Sequence, residues 1–268
     1  MPSLKQVLFL AKEYLHYWLH CVDEHSLQTP YLFQFYTDLI KGSKSAGIPA
    51  IESIRSKLLS DHRLISVRDP GAGTTFQRKD QRKISFIARS SSSQLRFSLM
   101  MGRIIRSLQP QNILELGTSL GINTLYMATA AAETDKEATV HTVEGSPNIA
   151  SLARQNFEKT QSTNVHLHEG DLDLVLQPLL TELPSVDLAY LDANHTYEAT
   201  MRYFEWILDK IHDETLLILD DIHWSPGMKR AWQKIIRHER VTTSVDLFDA
   251  GILFFRPGLQ KQHLVLRF

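Results

Sequence analysis

The chain is short of most features that mark a specialised protein. Its 268 residues hold one cysteine, Cys21, which excludes an internal disulfide and fits a reducing compartment. No uncharged apolar run approaches the roughly 20 residues of a membrane span. The N-terminal MPSLKQVLFLAKEYLHYWLH has a short apolar patch but contains Lys5, Lys12 and Glu13, and lacks a small-residue cleavage site. It reads as an amphipathic helix and not as a secretion signal. No sign of charge dominates: Lys plus Arg number 29 against 30 Asp plus Glu. A polyanionic partner such as nucleic acid is therefore not expected. Together these absences point to a cytoplasmic, soluble protein without a membrane partner.

What is present is the material of a globular enzyme. Hydrophobic residues make up 43% and charged residues 22%, enough for one large domain or one domain with a substantial N-terminal addition. The organising stretch is Asn112 to Ala128, NILELGTSLGINTLYMA. An apolar strand runs through Glu115-Leu116-Gly117-Thr118-Ser119-Leu120-Gly121 into a helical pattern, the order that opens a nucleotide-binding βαβ unit. Glycine lets a backbone approach a ligand where a Cβ would collide. A dinucleotide fingerprint is excluded, because Thr118-Ser119 occupies the place of its second glycine. Glu115 would also repel a pyrophosphate and suits a cationic ligand better.

From Asn112 strand and helix alternate, which implies a mostly parallel sheet with covered faces. Strands are expected at Thr139–Val143, Val165–His168, Val186–Leu191 and Thr215–Leu219, with a hairpin of Ser244–Phe248 and Ile252–Phe255 at the end. Each of the first five strands leads to an acid: Glu115, Glu144, Asp171, Asp192 and Asp220. Ligands of open parallel sheets bind at the carboxyl ends of the strands, so five acids in succession suggest a site. Glu144 can accept both hydroxyls of a ribose, or cap the helix near Pro147. Asp192, Asp220 and Asp221 end neighbouring strands and would repel one another unless a cation neutralised them; hard oxygens suit Mg²⁺ or another divalent cation. His195, three residues past Asp192, is a candidate base, with a helix-start residue as the equal alternative. His223 and Trp224 are candidates for positioning a substrate ring, or for packing.

The E-x-G-x-x-x-G spacing from Glu115 to Gly121 resembles motif I of the class I S-adenosylmethionine-dependent methyltransferases. YLDANHTYE and LLILDDIHW resemble segments of the cation-dependent catechol- and caffeoyl-CoA-type O-methyltransferases. The resemblance covers about Gln94 to Arg256. It implies a Rossmann-like, seven-stranded α/β sheet with an antiparallel last strand and helices on both faces. It implies S-adenosylmethionine held by Glu115, Gly117, Thr118, Ser119, Gly121, Glu144, Gly145, Asp171 and Asp192. It also implies a metal at Asp192, Asp220 and Asp221, although Asp221 stands where that family has Asn and His195 where it has a lysine base. The same Asp-Ala-x-His-x-Tyr-Glu form resembles a broader class I branch in which metal use is not general. The expected activity is methyl transfer to a small-molecule hydroxyl. The alternatives are a metal-free O- or N-methyltransferase and a non-catalytic cofactor-binding protein. No Pro-Pro is present, hence no Asn/Asp-Pro-Pro-Tyr/Phe motif of nucleic-acid methyltransferases.

Residues 1–93 read as a mainly helical region for cap, substrate or dimer contacts, ahead of a methyltransferase domain at 94–268. Leu8, Leu15 and Leu19 lie at helical spacing. Tyr31, Phe33, Phe35 and Tyr36 form an aromatic cluster expected to pack in the core between helices, with a substrate-facing role for one of them as the alternative. Arg68–Thr75 is a loop, followed by Arg78, Lys79, Arg82 and Lys83; it reads as a solvated turn, or as a cationic lid over an acidic substrate. Ser90–Ser93 are expected to cap a helix from about Gln94 to Leu108. A second copy of the chain is a candidate partner.

Overall fold

The apolar runs and amphipathic stretches fold as alternating strands and helices in this computed structural model, which describes residues 3–43, 45–67, 80–91, 93–134 and 137–268. The Gly71–Gly73 loop, Arg78 and Lys79 lie outside the described residues. The chain opens with α1 (Leu4–His20), capped by Ser3, whose hydroxyl accepts from the Gln6 amide. A 3-10 turn (Glu24–Ser26), α2 (Pro30–Gln34) and a π-helical turn (Phe35–Lys41) follow. Next come α3 (Pro49–Leu59), β1 (Leu64–Val67), β2 (Asp80–Lys83), α4 (Ile84–Ser91) and α5 (Leu95–Leu108). The α/β part runs β3 (Asn112–Leu116), α6 (Ile122–Ala132), β4 (Thr139–Glu144), α7 (Pro147–Lys159), β5 (Val165–Glu169), α8 (Leu172–Glu182) and β6 (Val186–Leu191). It continues with α9 (Tyr197–Leu208), β7 (Ile211–Asp220), α10 (Pro226–Ile235), β8 (Thr243–Asp246), β9 (Ala250–Phe254) and β10 (Gln262–Val265).

The chain groups into two compact units, Asp38–Glu182 and Met1–Thr37 with Leu183–Phe268. In the first, β3, β4 and β5 pair in parallel, in register from Asn112↔Thr139 and Val140↔Val165. Ile113, Leu114, Glu115 and Leu116 of β3 are all buried, as in a parallel strand covered on both faces. Ile51, Ile54 and Leu58 of α3 join Ile84, Leu125 and Phe157 in one apolar cluster. The serine run does not cap α5. Its N-cap is Gln94 without a side-chain bond, while Ser90 and Ser91 end α4 and bond back to the Phe86 and Ile87 carbonyls.

The same unit carries three histidines on neighbouring strands. His141 Nδ1 lies 3.3 Å from His168 Nε2, and the rings of His141 and His166 are 5.2 Å apart. Burial, then the neighbouring imidazoles, push His141 down to about 4, and His168 is lowered for the same reasons. A histidine depressed in the folded state contributes stability above its unfolded pKa and loses it as pH falls. Stability should therefore decline from about pH 6.5 to pH 4, by on the order of 1–2 kcal/mol from His141 after solvent screening. Thermal melts across that range should show a shallower decline in His141→Gln than in the wild type; equal slopes would refute the assignment.

In the second unit the strand order is β10-β8-β9-β7-β6. β6 and β7 are parallel, and β9 is antiparallel to both β7 and β8, as the hairpin pattern predicts. Among the described residues the α/β part has eight strands where seven are expected. The addition, β10, pairs in parallel with β8, and its four residues have too little periodicity to announce themselves. Beyond it Val22 bridges Leu266, and the Tyr17 hydroxyl donates to the Leu266 carbonyl at 2.6 Å. Phe35 and Tyr36 are buried as expected, Phe35 packing edge-on against Phe254 of β9 at 5.0 Å. Phe33 is instead exposed.

Candidate functional site

One group of the predicted residues, in the unit Asp38–Glu182, lies at the turn between β3 and α6. Gly117, Ser119 and Gly121 have φ of 101°, 48° and 78°, so every second residue is left-handed and the backbone coils tightly. Gly121 is needed on a second count, since a Cβ there would lie 2.5 Å from the Phe157 ring. The coil closes on Glu144 at the end of β4. One carboxylate oxygen accepts from the Ser119 amide at 2.9 Å and the other from the Ser146 amide at 2.9 Å. Each oxygen keeps lone-pair capacity for a further donor. Gly145 lies between Glu144 and Ser146, and the Ser91 hydroxyl meets that of Ser119 at 2.6 Å.

Glu115 lies inside β3 and not at its end, almost fully buried. Thr124 and Thr142 both donate to Oε2, at 2.5 and 2.6 Å, and the Thr118 and Thr142 hydroxyls are 2.6 Å apart. Because Thr142 donates to the acid, Thr118 donates to Thr142. Burial, opposed by these hydroxyls, raises Glu115 to about 7. One residue escaped the sequence reading: Asn123, in the first turn of α6. It is buried, and its side-chain amide acts as a hydrogen-bond donor towards Glu115, while its carbonyl oxygen has no partner among the described residues. A polar residue opening the otherwise apolar INTLYMATAAA was the available signal. Asp171 begins α8: its side chain accepts from the Asp173 amide at 3.0 Å and its carbonyl from those of Leu174 and Val175.

A separate group of predicted residues, in the unit of Met1–Thr37 and Leu183–Phe268, lies at the ends of β6 and β7. His195 is set between two acids, its Nε2 3.4 Å from Asp192 and its Nδ1 3.7 Å from Asp221. The Tyr190 hydroxyl donates to Asp192 at 3.3 Å. Asp220 is hydrogen-bonded to Asp192 and pushed up to about 7, by burial first and by the charge of Asp221 next. Asp221, raised by burial, is at a left-handed φ of 56°. Among the described residues no group of three His, Cys, Asp or Glu side chains is gathered so as to hold a metal ion. The expected cation set of Asp192, Asp220 and Asp221 is brought together, but with a carboxyl–carboxyl hydrogen bond and an imidazole between its members.

Beside them is a cavity of about 480 Å³, lined by Leu10, Tyr14, Asp221, Trp224, Phe248 and Asp249 among others. Trp224 is partly exposed there and not packed away. His223 is buried, donating through Nε2 to Asp246 at 2.7 Å and stacked on Phe248 at 5.3 Å. Its Nδ1 lies 3.5 Å from Glu13 of α1, which also pairs with Lys229 at 2.6 Å. Glu13 and Asp246 were not identified from sequence; isolated acids separated by over two hundred residues give no local signal.

Residues 114–222 match the sequence profile of a family described as methyltransferase domain. The match covers this segment, less than half of the chain. It contains every site residue named from sequence between Glu115 and Asp221. A catechol O-methyltransferase from Niastella koreensis is 31% identical over 116 residues, 42% of this chain and 50% of that protein. The chain thus spans about half the length of that curated relative. An O-methyltransferase from Bacillus cereus, solved with S-adenosylhomocysteine, superposes with a TM-score of 0.55 at 23% identity, over 61% of this chain and 82% of its own. A Podospora anserina methyltransferase, also solved with S-adenosylhomocysteine, gives 0.60 at 18% identity, over 86% and 97%. At these identities the likeness is one of fold, and it extends past residues 114–222 at both ends. No helix among the described residues is long and apolar enough to cross a membrane.

Proposed function

We propose that this protein transfers a methyl group from S-adenosylmethionine to a hydroxyl of a small molecule. The observation that carries the reading is the left-handed coil from Gly117 to Gly121 closed on Glu144, whose two carboxylate oxygens each keep capacity for a further donor. Glu144 with Gly145 would hold the ribose hydroxyls, and Asp171 the adenine amino group. Glu115 and the Gly117–Gly121 turn, with Thr118 and Ser119, would hold the methionine end. A cation beside Glu115 favours its ionised form, against the burial that raises its pKa. S-adenosylmethionine brings an electrophilic sulfonium methyl, so the protein's tasks are positioning and activation of the acceptor.

His195 is assigned as the base that takes the acceptor proton. Asp192 and Asp221 flank its two nitrogens, orient the ring and stabilise its cationic form. Asp192 also belongs to the cofactor set. A second reading, with Mg²⁺ on Asp192, Asp220 and Asp221, is favoured by the raised pKa of Asp220 and Asp221, since a cation would relieve their repulsion. The apolar cavity beside Asp221 is the acceptor pocket in either case, and the balance of 29 cations and 30 acids argues for a small acceptor over nucleic acid. The deciding experiment is calorimetric titration of metal-stripped protein with S-adenosylhomocysteine, with and without Mg²⁺. One-site binding without metal is expected. No binding under either condition would overturn the proposal.

A further inference from the structure

Three imidazoles meet on one face of the sheet, near its edge, and methyl transfer uses none of them. His166 and His168 are two apart on β5, so they share a face. Val165 and Leu167, which alternate with them, pack against the cluster that contains Phe157 of α7. His141 of β4 is in register with His166, which sets it on the same face beside that pair. His141 and His168 are half-buried, His166 is exposed, and β5 is the last strand in the order of its sheet.

We propose that His141, His168 and His166 bind a borderline divalent transition ion, Zn²⁺ first among them, and that this ion ties the edge strand β5 to β4. His141 Nδ1 and His168 Nε2 are 3.3 Å apart. That is longer than the usual N–H hydrogen bond of about 2.7–3.2 Å. It matches the span between two ligands of tetrahedral zinc, roughly 3.3–3.4 Å for bonds of about 2.0–2.1 Å. An imidazole centroid lies about 3.2 Å from an ion it ligates, so two rings on one tetrahedral ion have centroids roughly 5.2 Å apart. The His141 centroid lies 5.2 Å from that of His166 and 5.6 Å from that of His168. Among the described residues no three ligands are gathered in advance. His141 and His168 supply the bite, and the exposed His166 completes it by turning about its side-chain bonds, with water in the fourth position.

The chemistry of the donors agrees with the geometry. Burial and the neighbouring imidazoles hold His141 and His168 below the usual histidine range, so at neutral pH each ring keeps a lone pair for a metal. On binding, the ligating nitrogen gives that lone pair and the ring proton sits on the outer nitrogen, so no net proton is released. Glu182, the last residue of α8, acts on His168 through its negative charge, which favours a cation there. Imidazoles select zinc, copper or nickel over magnesium, which takes oxygen ligands. The site therefore differs in its donors from Asp192, Asp220 and Asp221, and it does not depend on the methyl-transfer reading.

Calorimetric titration of the metal-stripped full chain with Zn²⁺ tests the proposal. A site with a dissociation constant on the order of 1 μM is expected, with no competition from Mg²⁺. Zn²⁺ at a hundred times that constant should raise the thermal midpoint by about 5 °C. His141→Gln/His168→Gln should weaken binding at least about a hundred-fold, and His166→Gln about ten-fold. Since the His166 side chain is exposed, that variant decides the matter should the double change not fold. The chain holds 12 histidines, and His16 and His20 stack at 4.1 Å one turn apart on α1; His16→Gln/His20→Gln should leave the affinity unchanged. No Zn²⁺ binding tighter than about 100 μM overturns the proposal. So does unchanged affinity in the His141/His168 or the His166 variant, or loss of the site in the His16/His20 variant, which would assign the metal to α1.

Discussion

Replacing Glu144 by alanine is expected to weaken S-adenosylhomocysteine binding by roughly 30- to 100-fold, or about 2–3 kcal/mol. The carboxylate is held by two backbone amides, those of Ser119 and Ser146, one on each oxygen. It is thus pre-organised, and a ligand hydroxyl that binds it need not order a mobile side chain. Alanine removes the acceptor and also releases the two amides that fix the coil from Gly117 to Gly121. Glu144→Gln keeps one amide acceptor and should fall between the two, near ten-fold. Calorimetry gives the affinities, and thermal melts of the ligand-free variants separate a folding defect from a binding defect. Unchanged affinity in Glu144→Ala would remove the central piece of the cofactor site.

Turnover should fall by about 10²- to 10⁴-fold in His195→Ala, the range of a lost general base, while S-adenosylhomocysteine affinity changes by less than about three-fold. The imidazole lies 3.4 Å from Asp192 and 3.7 Å from Asp221, whereas Glu144 is held by the Ser119 and Ser146 amides, so the removed base is not one of the groups that hold Glu144. Added imidazole should restore part of the rate in the alanine variant and none in the wild type. The chelator experiment divides the two readings of the same acids. Activity retained after exhaustive chelation favours the histidine, whereas loss that Mg²⁺ restores, and that Asp220→Ala abolishes, favours the cation. A His195→Ala enzyme with full turnover would sink the histidine assignment outright.

Much of the α/β part was legible because each of its signals is local. The apolar Ile113–Leu116 strand, the glycines at 117 and 121 and the helix after them are adjacent in sequence, and backbone sterics at those positions admit few conformations. The hairpin of β8 and β9 was readable from two β-rich runs around Asp249-Ala250-Gly251. Glu144 followed from its place at the end of a strand after the motif. Asn123 and the depth of Glu115 were less visible. A polar residue's burial depends on neighbours such as Thr124 and Thr142, which the spacing alone did not single out.

The N-terminal helix marks the boundary most clearly. Its sequence determined that it is helical and amphipathic, because a period near 3.6 residues is a property of the chain itself. Which side faces inward was decided only by tertiary structure. Glu13 found Lys229 and His223, and Tyr17 found the Leu266 carbonyl; contacts across more than two hundred residues leave no trace in local periodicity. The leucines that would ordinarily mark a core were left facing outward. Likewise, the chain alone determined that acids end the strands, since residue type and position are written there. Only the folded arrangement decided that His195 stands between two of them, because the distance between side chains on different elements is set by packing.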